Sequence, residues 1–168
     1  MQDATGYYAK LGGVRSSDYP YIAGKYGTLA GTPLIRGVCT ESRRIFLGQG
    51  QFTQHTSGLT NTEIKTMLMT YGPLAVGVYV NTAFHFYQSG VFNGCPSWAT
   101  SYQNHAVLLI GWDSNGDWLI QNSWGTSWGV NGTMTLSSVY DCGISGDLVV
   151  LNVPSKNTNV EVNMNIVY

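Results

Sequence analysis

The pattern of apolar and polar residues changes along the chain from a helical period to an extended one. Apolar residues spaced three and four apart predict one amphipathic helix over residues 61–71. Thr60 and Glu63 form the sequence pattern of a capping box at its start, and Gly72 with the proline after it marks its end. The apolar stripe is expected to lie in the core, and its members are Ile64, Met67, Leu68 and Tyr71.

Beyond the helix the pattern favours strands. Residues 74–80 alternate partly, and residues 105–112 form a continuous apolar run, as expected for a strand buried on both faces. Residues 113–117 are turn formers and predict a hairpin. One helix followed by several strands favours an antiparallel sheet or barrel. Three further strands are predicted, over residues 118–122, 133–136 and 147–153.

The two ends of the chain carry weaker patterns. Tyr7, Tyr8 and Leu11 have helical spacing before a pair of glycines, which predicts the tail of a helix. Residues 14–58 are interpreted as loops with short extended pieces. Residues 154–168 are rich in asparagine and are interpreted as a tail or an edge extension.

Composition and charge exclude several classes of partner. The chain has 168 residues, which suits one domain, and 8 basic against 9 acidic residues give a net charge of −1. No basic stripe is available to neutralise a phosphate backbone, so nucleic-acid binding is not expected. No apolar stretch is long enough to cross a membrane, and Met1 is not followed by the apolar region of a signal peptide.

Candidate chemistry centres on one histidine and one asparagine. His105 begins one predicted strand and Asn122 ends the next, so the intervening hairpin would bring them side by side. An amide oxygen can then accept a hydrogen bond from one ring nitrogen and leave the other free for proton transfer. Trp124 would shield that bond from water. The three cysteines and three histidines lack zinc-ligand spacing, so neither a metal nor any other cofactor is expected.

Ordered motifs connect this pair to a known family. Residues 104–107 read Asn-His-Ala-Val, and residues 122–129 read Asn-Ser-Trp-Gly-Thr-Ser-Trp-Gly. Residues 18–21, 71–76 and 86–91 add weaker matches in the same order. Together these segments resemble the C-terminal part of a papain-family, cathepsin-like cysteine peptidase, from about residue 7 to residue 153.

The resemblance implies a fold and a domain organisation. It implies an α+β papain-like fold, mainly the antiparallel β-barrel lobe with a remnant of the helical lobe. Residues 1–153 would form a partial peptidase domain, with a helix tail and loops over 1–58 and the helix and barrel lobe over 59–153. Residues 154–168 would be the tail or edge extension.

The resemblance also implies hydrolysis of peptide bonds by a Cys-His-Asn triad. His105 would be its acid and base, and Asn122 would orient the imidazole. Trp124 would cover this pair and Trp128 would pack beneath it. The residues expected to line the cleft for a peptide or protein substrate are Gln103 and Asn104.

The nucleophile of the triad has no counterpart in this sequence. In the family it lies about 130–150 residues upstream of the histidine, which counted back from His105 falls before Met1, and no Cys-Gly-x-Cys-Trp motif is present. We therefore expect a missing N-terminal segment or a partner chain to supply the thiol, and this chain alone to be inactive. Cys95 is a poor candidate because the resemblance assigns it to a disulfide.

The cysteines and one sequon bear on the compartment. The resemblance implies a disulfide between Cys95 and Cys142, and leaves Cys39 unpaired or paired to the missing segment. Disulfides imply an oxidising compartment, and the family is lysosomal, vacuolar or secreted. In such a compartment Asn131, which begins an Asn-Gly-Thr sequon, is a candidate for glycosylation.

Two other hypotheses stay open at this point. One is a catalytically inactive papain-fold binding or structural protein that has lost the thiol. The other is a small β-sandwich carbohydrate binder, suggested only by 5 Trp and 11 Tyr residues. The remaining histidines, His55 and His85, are given no role.

Overall fold

The computed structural model describes residues 6–8, 51–55 and 58–152. By its internal contacts the chain divides into two compact units, and residues 51–152 lie in the first of them. Residues 6–8 are helical. The rest of the predicted helix tail, most of the loops over 14–58, Cys39 and the tail over 154–168 lie outside the described residues.

The predicted helix is present over Asn61–Tyr71, here called α1, and its start is capped as the sequence indicates. The Thr60 hydroxyl accepts from the Glu63 N–H at 3.3 Å, and the Glu63 carboxylate accepts from the Thr60 N–H at 2.8 Å. Ile64 is fully buried, but Tyr71 is 45% exposed. The prediction that the whole stripe is core is therefore wrong at the last residue of the helix.

The described residues contain seven strands, which form one sheet with the order β1-β7-β2-β4-β5-β6-β3. A four-residue helix, α2 (Thr82–His85), lies between β2 and β3. Short 3-10 helices cover Ser97–Ser101 and Ile144–Gly146. The strands are β1 (Gln51–His55), β2 (Leu74–Val78), β3 (Val91–Phe92), β4 (His105–Trp112), β5 (Trp118–Gln121), β6 (Thr133–Leu136) and β7 (Leu148–Asn152).

The pairing is antiparallel at every strand ladder except one. β4 lies between β2 and β5, and β5 pairs with β6, all antiparallel. β3 pairs with β6 in parallel, so the predicted antiparallel lobe has one parallel pair at this edge. Two residues are too few to create a periodic signal, which is why the sequence does not predict β3.

The burial of β4 also differs from its prediction. Val107 and Leu109 are buried, whereas Leu108 and Ile110 are 37% and 39% exposed. The continuous apolar run therefore packs inward on one face only, as alternation along a strand requires. The inward face joins a core that includes Phe84 and Trp118, which are fully buried.

Every helix in the described ranges is too short or too polar to traverse a lipid bilayer.

Candidate active site

The hairpin of β4 and β5 brings His105 and Asn122 together. Its turn is closed by the Asp113 carboxylate, which accepts from the N–H groups of Asn115 at 2.9 Å and Asp117 at 3.0 Å. His105 is the first residue of β4 and Asn122 follows the last residue of β5. The Nε2 atom of the imidazole lies 2.9 Å from the Oδ1 atom of the amide, which is hydrogen-bond distance.

A backbone group fixes the orientation of the Asn122 amide. The Ser123 N–H donates to the same Oδ1 atom at 2.8 Å. A flipped amide would place its NH₂ group against this donor, so the oxygen must face the imidazole. Because Oδ1 can only accept, Nε2 of His105 carries the proton and Nδ1 is the free nitrogen.

The same orientation leaves one polar atom unsatisfied. The Nδ2 atom of Asn122 is buried and has no hydrogen-bond partner among the described residues. A buried donor without an acceptor costs about 1–3 kcal/mol. The backbone N–H of Asn122 is satisfied separately, because it donates to the Gly132 carbonyl at 2.9 Å. The Ser123 N–H therefore holds the amide oxygen toward His105, and Nδ2 points away from it.

Trp124 covers the imidazole of the pair, and Trp128 packs against Trp124. The Trp124 ring stacks on the His105 ring, with centroids 4.9 Å apart and planes 29° apart. Trp128 is buried and meets Trp124 edge to face at 5.3 Å. Phe84 stacks on Trp128 at 5.7 Å and connects the cluster to the core. This aromatic cover excludes water from one face of the imidazole and strengthens its hydrogen bond to the amide.

Gln103 and Asn104 precede the histidine, and backbone groups hold both amides. Asn104 accepts from the Val80 N–H at 2.7 Å and donates to the Val80 carbonyl at 3.1 Å. Gln103 donates to the carbonyls of Thr100 at 2.7 Å and Gly143 at 3.2 Å. These bonds fix the segment that leads into β4 and thereby the position of His105. Their role in a substrate cleft stays a prediction.

The disulfide that the resemblance implies is present. Cys95 and Cys142 are bonded, with Cα atoms 5.1 Å apart, and both are buried. The Cys142 carbonyl also accepts from the Tyr79 N–H at 2.6 Å. The bond ties the segment before β4 to the segment before β7. It also means that Cys95 carries no free thiol.

The two glycines of the Trp-Gly-x-x-Trp-Gly segment differ in their surroundings. Both have positive φ, +86° at Gly125 and +57° at Gly129. A Cβ atom on Gly125 would meet no atom within 4 Å, whereas one on Gly129 would collide with the Thr133 carbonyl oxygen. Only Gly129 is therefore required for both its backbone angle and its space.

Gly129→Ala is expected to destabilise the protein more than Gly125→Ala. A left-handed residue other than glycine costs roughly 1–2 kcal/mol at either position. The collision adds roughly 1–3 kcal/mol at Gly129 alone. Urea unfolding of the two variants measures the difference in free energy of unfolding. Equal losses would show that the contact with Thr133 does not constrain this turn.

Sequence reasoning missed two contributors to the site. The first is the Ser123 N–H, which donates to the Asn122 amide oxygen; in the sequence Ser123 is only the residue after Asn122. His85 was given no role, yet its ring lies 5.0 Å from the Trp124 ring and its carbonyl accepts from the Trp128 indole N–H at 3.0 Å. No local pattern predicts this contact, because 43 residues separate His85 from Trp128. Within the described ranges, no cluster of three or more His, Cys, Asp or Glu residues forms a metal site.

Comparison with known proteins places the chain in a family. Residues 1–151 match the family model described as papain family cysteine protease. The chain is 33% identical over 146 residues to cathepsin L 2 of Paramecium tetraurelia, covering 86% of this chain and 40% of that protein. It is 31% identical over 152 residues to digestive cysteine proteinase 2 of Homarus americanus, covering 86% and 43%.

Solved structures agree on the fold. Digestive procathepsin L 3 of Tenebrio molitor larval midgut superimposes with a TM-score of 0.71 at 26% identity, covering 90% of this chain and 48% of that one. Bromelain protease of Ananas comosus, in complex with the E64 inhibitor, gives 0.63 at 28% identity, covering 89% and 66%.

The chain therefore belongs to the papain family of cysteine proteases and has its α+β papain-like fold. The members of this family are described as cysteine proteases, that is, thiol proteases and hydrolases. The β-sandwich hypothesis is wrong, because the family match and the fold both exclude it. The chain spans about two fifths of the length of the curated relatives it matches, 40% and 43% of the two named above.

Proposed function

We propose that this chain supplies the histidine and the asparagine of a Cys-His-Asn triad that hydrolyses peptide bonds in peptide or protein substrates. His105 is the acid and base, and Asn122 orients it. The observation that carries the proposal is the 2.9 Å contact from His105 Nε2 to an amide oxygen that the Ser123 N–H also holds. Trp124 and Trp128 shield this contact, and Gln103 and Asn104 border the cleft.

The nucleophilic thiol comes from residues outside this sequence. The sequence has three cysteines: Cys95 and Cys142 are in a disulfide, and Cys39 precedes His105 by far less than the roughly 130–150 residues that the family places between the nucleophile and the histidine. Residues 1–153 are thus part of a peptidase domain that a further segment or a partner chain completes, and residues 154–168 extend it. On its own, the 168-residue chain is not expected to hydrolyse peptides, because an acyl-enzyme needs a nucleophile.

The proposed mechanism uses the two ring nitrogens differently. A cysteine thiol transfers its proton to Nδ1 of His105, and the thiolate attacks the peptide carbonyl. The imidazolium then donates that proton to the leaving amine as the C–N bond breaks, which leaves a thioester. His105 next removes a proton from water, whose oxygen attacks the thioester carbonyl. The C–S bond then breaks, the carboxylic acid product leaves, and the thiolate takes the proton back from the imidazolium. Asn122 keeps Nε2–H engaged throughout, so each transfer passes through Nδ1.

Asn122→Ala tests the orienting role in the complete gene product that contains this sequence. We expect kcat/KM for peptide hydrolysis under reducing conditions to fall by roughly 10²-fold, because a misoriented base loses much of its effect. Gln121→Ala, at an exposed neighbouring position, is the matched control and should lose less than about twofold, as a surface change away from the chemistry.

The outcome also separates the proposed enzyme from an inactive relative. A complete gene product with no thiol-dependent peptidase activity would refute the triad and leave the papain-fold binding protein as the better account. An active product whose Asn122→Ala variant keeps its full rate would refute the orienting role of Asn122.

We further propose a lysosomal, vacuolar or secreted location and a glycan on Asn131. The disulfide is of the kind formed in oxidising compartments. Asn131 is exposed at a turn with φ +52° and begins a sequon that ends at Thr133. Peptide-N-glycosidase should lower the mass of the protein purified from its own cells, and Asn131→Gln should remove this change. A mass that already equals the polypeptide alone would exclude the glycan.

A further inference from the structure

His85 contacts both tryptophans that cover the imidazole–amide pair. It is the last residue of α2, whose start is capped by Asn81: the Asn81 amide oxygen accepts from the Phe84 N–H at 2.9 Å. The Asn81 NH₂ group donates to the Gly94 carbonyl at 2.9 Å and ties α2 to the next loop. This short, anchored helix places the ring of His85 against Trp124.

The contacts of His85 with the two tryptophans are of different kinds. Its backbone carbonyl accepts from the Trp128 indole N–H at 3.0 Å, which fixes the buried tryptophan. Its ring lies 5.0 Å from the Trp124 ring at an angle of 56°. Trp124 is half-buried, and the His105 ring stacks on its indole with ring centroids 4.9 Å apart. One indole therefore contacts two imidazoles, one of the proposed catalytic pair and one that is exposed.

We propose that His85 is a positioning residue that acts on His105 through Trp124. A half-buried indole keeps alternative side-chain orientations unless neighbouring groups remove them. Phe84 and Trp128 pack on Trp124 from the core, and His85 is the exposed ring that packs on it. Holding Trp124 in place keeps water away from the hydrogen bond between Nε2–H and the Asn122 oxygen.

The contact with Trp124 is made by a ring, so an aromatic side chain of another type can replace it. His85→Phe keeps a ring at this position, whereas His85→Ala removes it. The hydrogen bond to Trp128 uses the backbone carbonyl and survives both substitutions. The two variants therefore differ in the packing of the ring on Trp124 and on the exposed Phe86. This inference rests on the proposed function for its catalytic consequence, but not for its effect on the hydrogen bond.

The first test needs no activity. NMR can measure the solvent exchange rate of the His105 Nε2 proton in the complete gene product. We expect His85→Ala to raise this rate about tenfold, because the pair opens more often, and His85→Phe to leave it within about twofold of wild type. Phe86→Ala is the matched control: Phe86 is 71% exposed and contacts His85, and its loss should not change the rate.

The second test reads the catalytic consequence. His85→Ala should lower kcat roughly three- to tenfold with KM unchanged, and His85→Phe should restore kcat. An unchanged exchange rate in His85→Ala would overturn the proposal, and so would a His85→Phe variant as impaired as His85→Ala. If His85→Ala does not fold, His85→Phe still decides between ring packing and a specific imidazole. If the complete gene product is not a peptidase, only the kcat test is lost. The exchange rate of the His105 Nε2 proton still tests whether His85 positions Trp124.

Discussion

His105→Ala is expected to lower kcat/KM of the complete gene product by at least about 10³-fold, because general acid–base catalysis and activation of the nucleophile are lost together. No other side chain in the described part of the chain can replace the imidazole. Among the described residues, the other histidine with a described side chain is His85, whose ring contacts Trp124 rather than Asn122. Peptide hydrolysis with a saturable fluorogenic substrate gives kcat and KM separately.

The control for this variant must separate loss of chemistry from loss of fold. Met69 is 78% exposed on α1, and Met69→Ala should keep both activity and stability. His105→Ala loses the stacking contact on Trp124, worth about 0.5–1.5 kcal/mol, and the hydrogen bond to Asn122, worth about as much. Its unfolding midpoint should therefore fall by roughly 2–12 °C. A fall in kcat/KM of less than about tenfold, with the fold intact, would show that His105 is not the general base.

The second large effect is expected from the disulfide. Cys95 and Cys142 close a loop of 47 residues, and removing such a cross-link costs about 4 kcal/mol through the entropy of the unfolded chain. The variant Cys95→Ala/Cys142→Ala should therefore unfold at a temperature roughly 8–16 °C below wild type, by the scaling for domains of this size. Calorimetry or circular dichroism measures the shift.

A matched double variant tests whether the effect belongs to the cross-link. Ser97 and Thr100 are exposed and lie on the 3-10 helix within the same loop. Ser97→Ala/Thr100→Ala should shift the midpoint by less than about 3 °C, since exposed substitutions are usually near neutral. A cysteine double variant no less stable than this control would mean that the bond does not hold the segment before β4.

Local signals made part of the fold predictable. The capping box at Thr60 marks the start of α1, and the glycine after Tyr71 marks its end. Both signals are local in sequence, and the structure has the predicted bounds. The turn formers over 113–117 predict the hairpin because its stabilising contacts are also local. The Asp113 carboxylate accepts from the N–H groups of residues two and four positions later. The placement of His105 beside Asn122 follows from this hairpin.

Long-range packing made the rest unpredictable. The parallel pair of β3 and β6 depends on contacts between residues 91–92 and 135–136, and nothing near Val91 in the sequence encodes its partner. The exposure of Leu108 could not be predicted either, because an apolar run has the same appearance whether one face or both faces are covered. The contact of His85 with Trp124 joins the end of α2 to the loop after β5, and no periodic pattern in the sequence indicates it.

The sequence predicts that His105 and Asn122 lie side by side, because this follows from the ends of two strands and the hairpin between them. The hydrogen-bond pattern around the Asn122 oxygen was not, since it needs the coordinates of Ser123. That pattern defines the tautomer of the His105 imidazole, in which the proton is on Nε2. The free nitrogen, Nδ1, is the atom on which the proposed chemistry depends.

The measurement that tests the central claim most directly is the rate at which iodoacetamide alkylates each cysteine of the complete gene product at pH 6, followed by peptide mass spectrometry. An ordinary thiol is almost wholly protonated at this pH and reacts slowly, whereas a thiolate paired with an imidazolium reacts fast. We predict one fast cysteine outside these 168 residues, slowed roughly 10²-fold by His105→Ala. A fast reaction at Cys39, Cys95 or Cys142, no fast cysteine at all, or a fast rate that His105→Ala leaves unchanged would contradict the account.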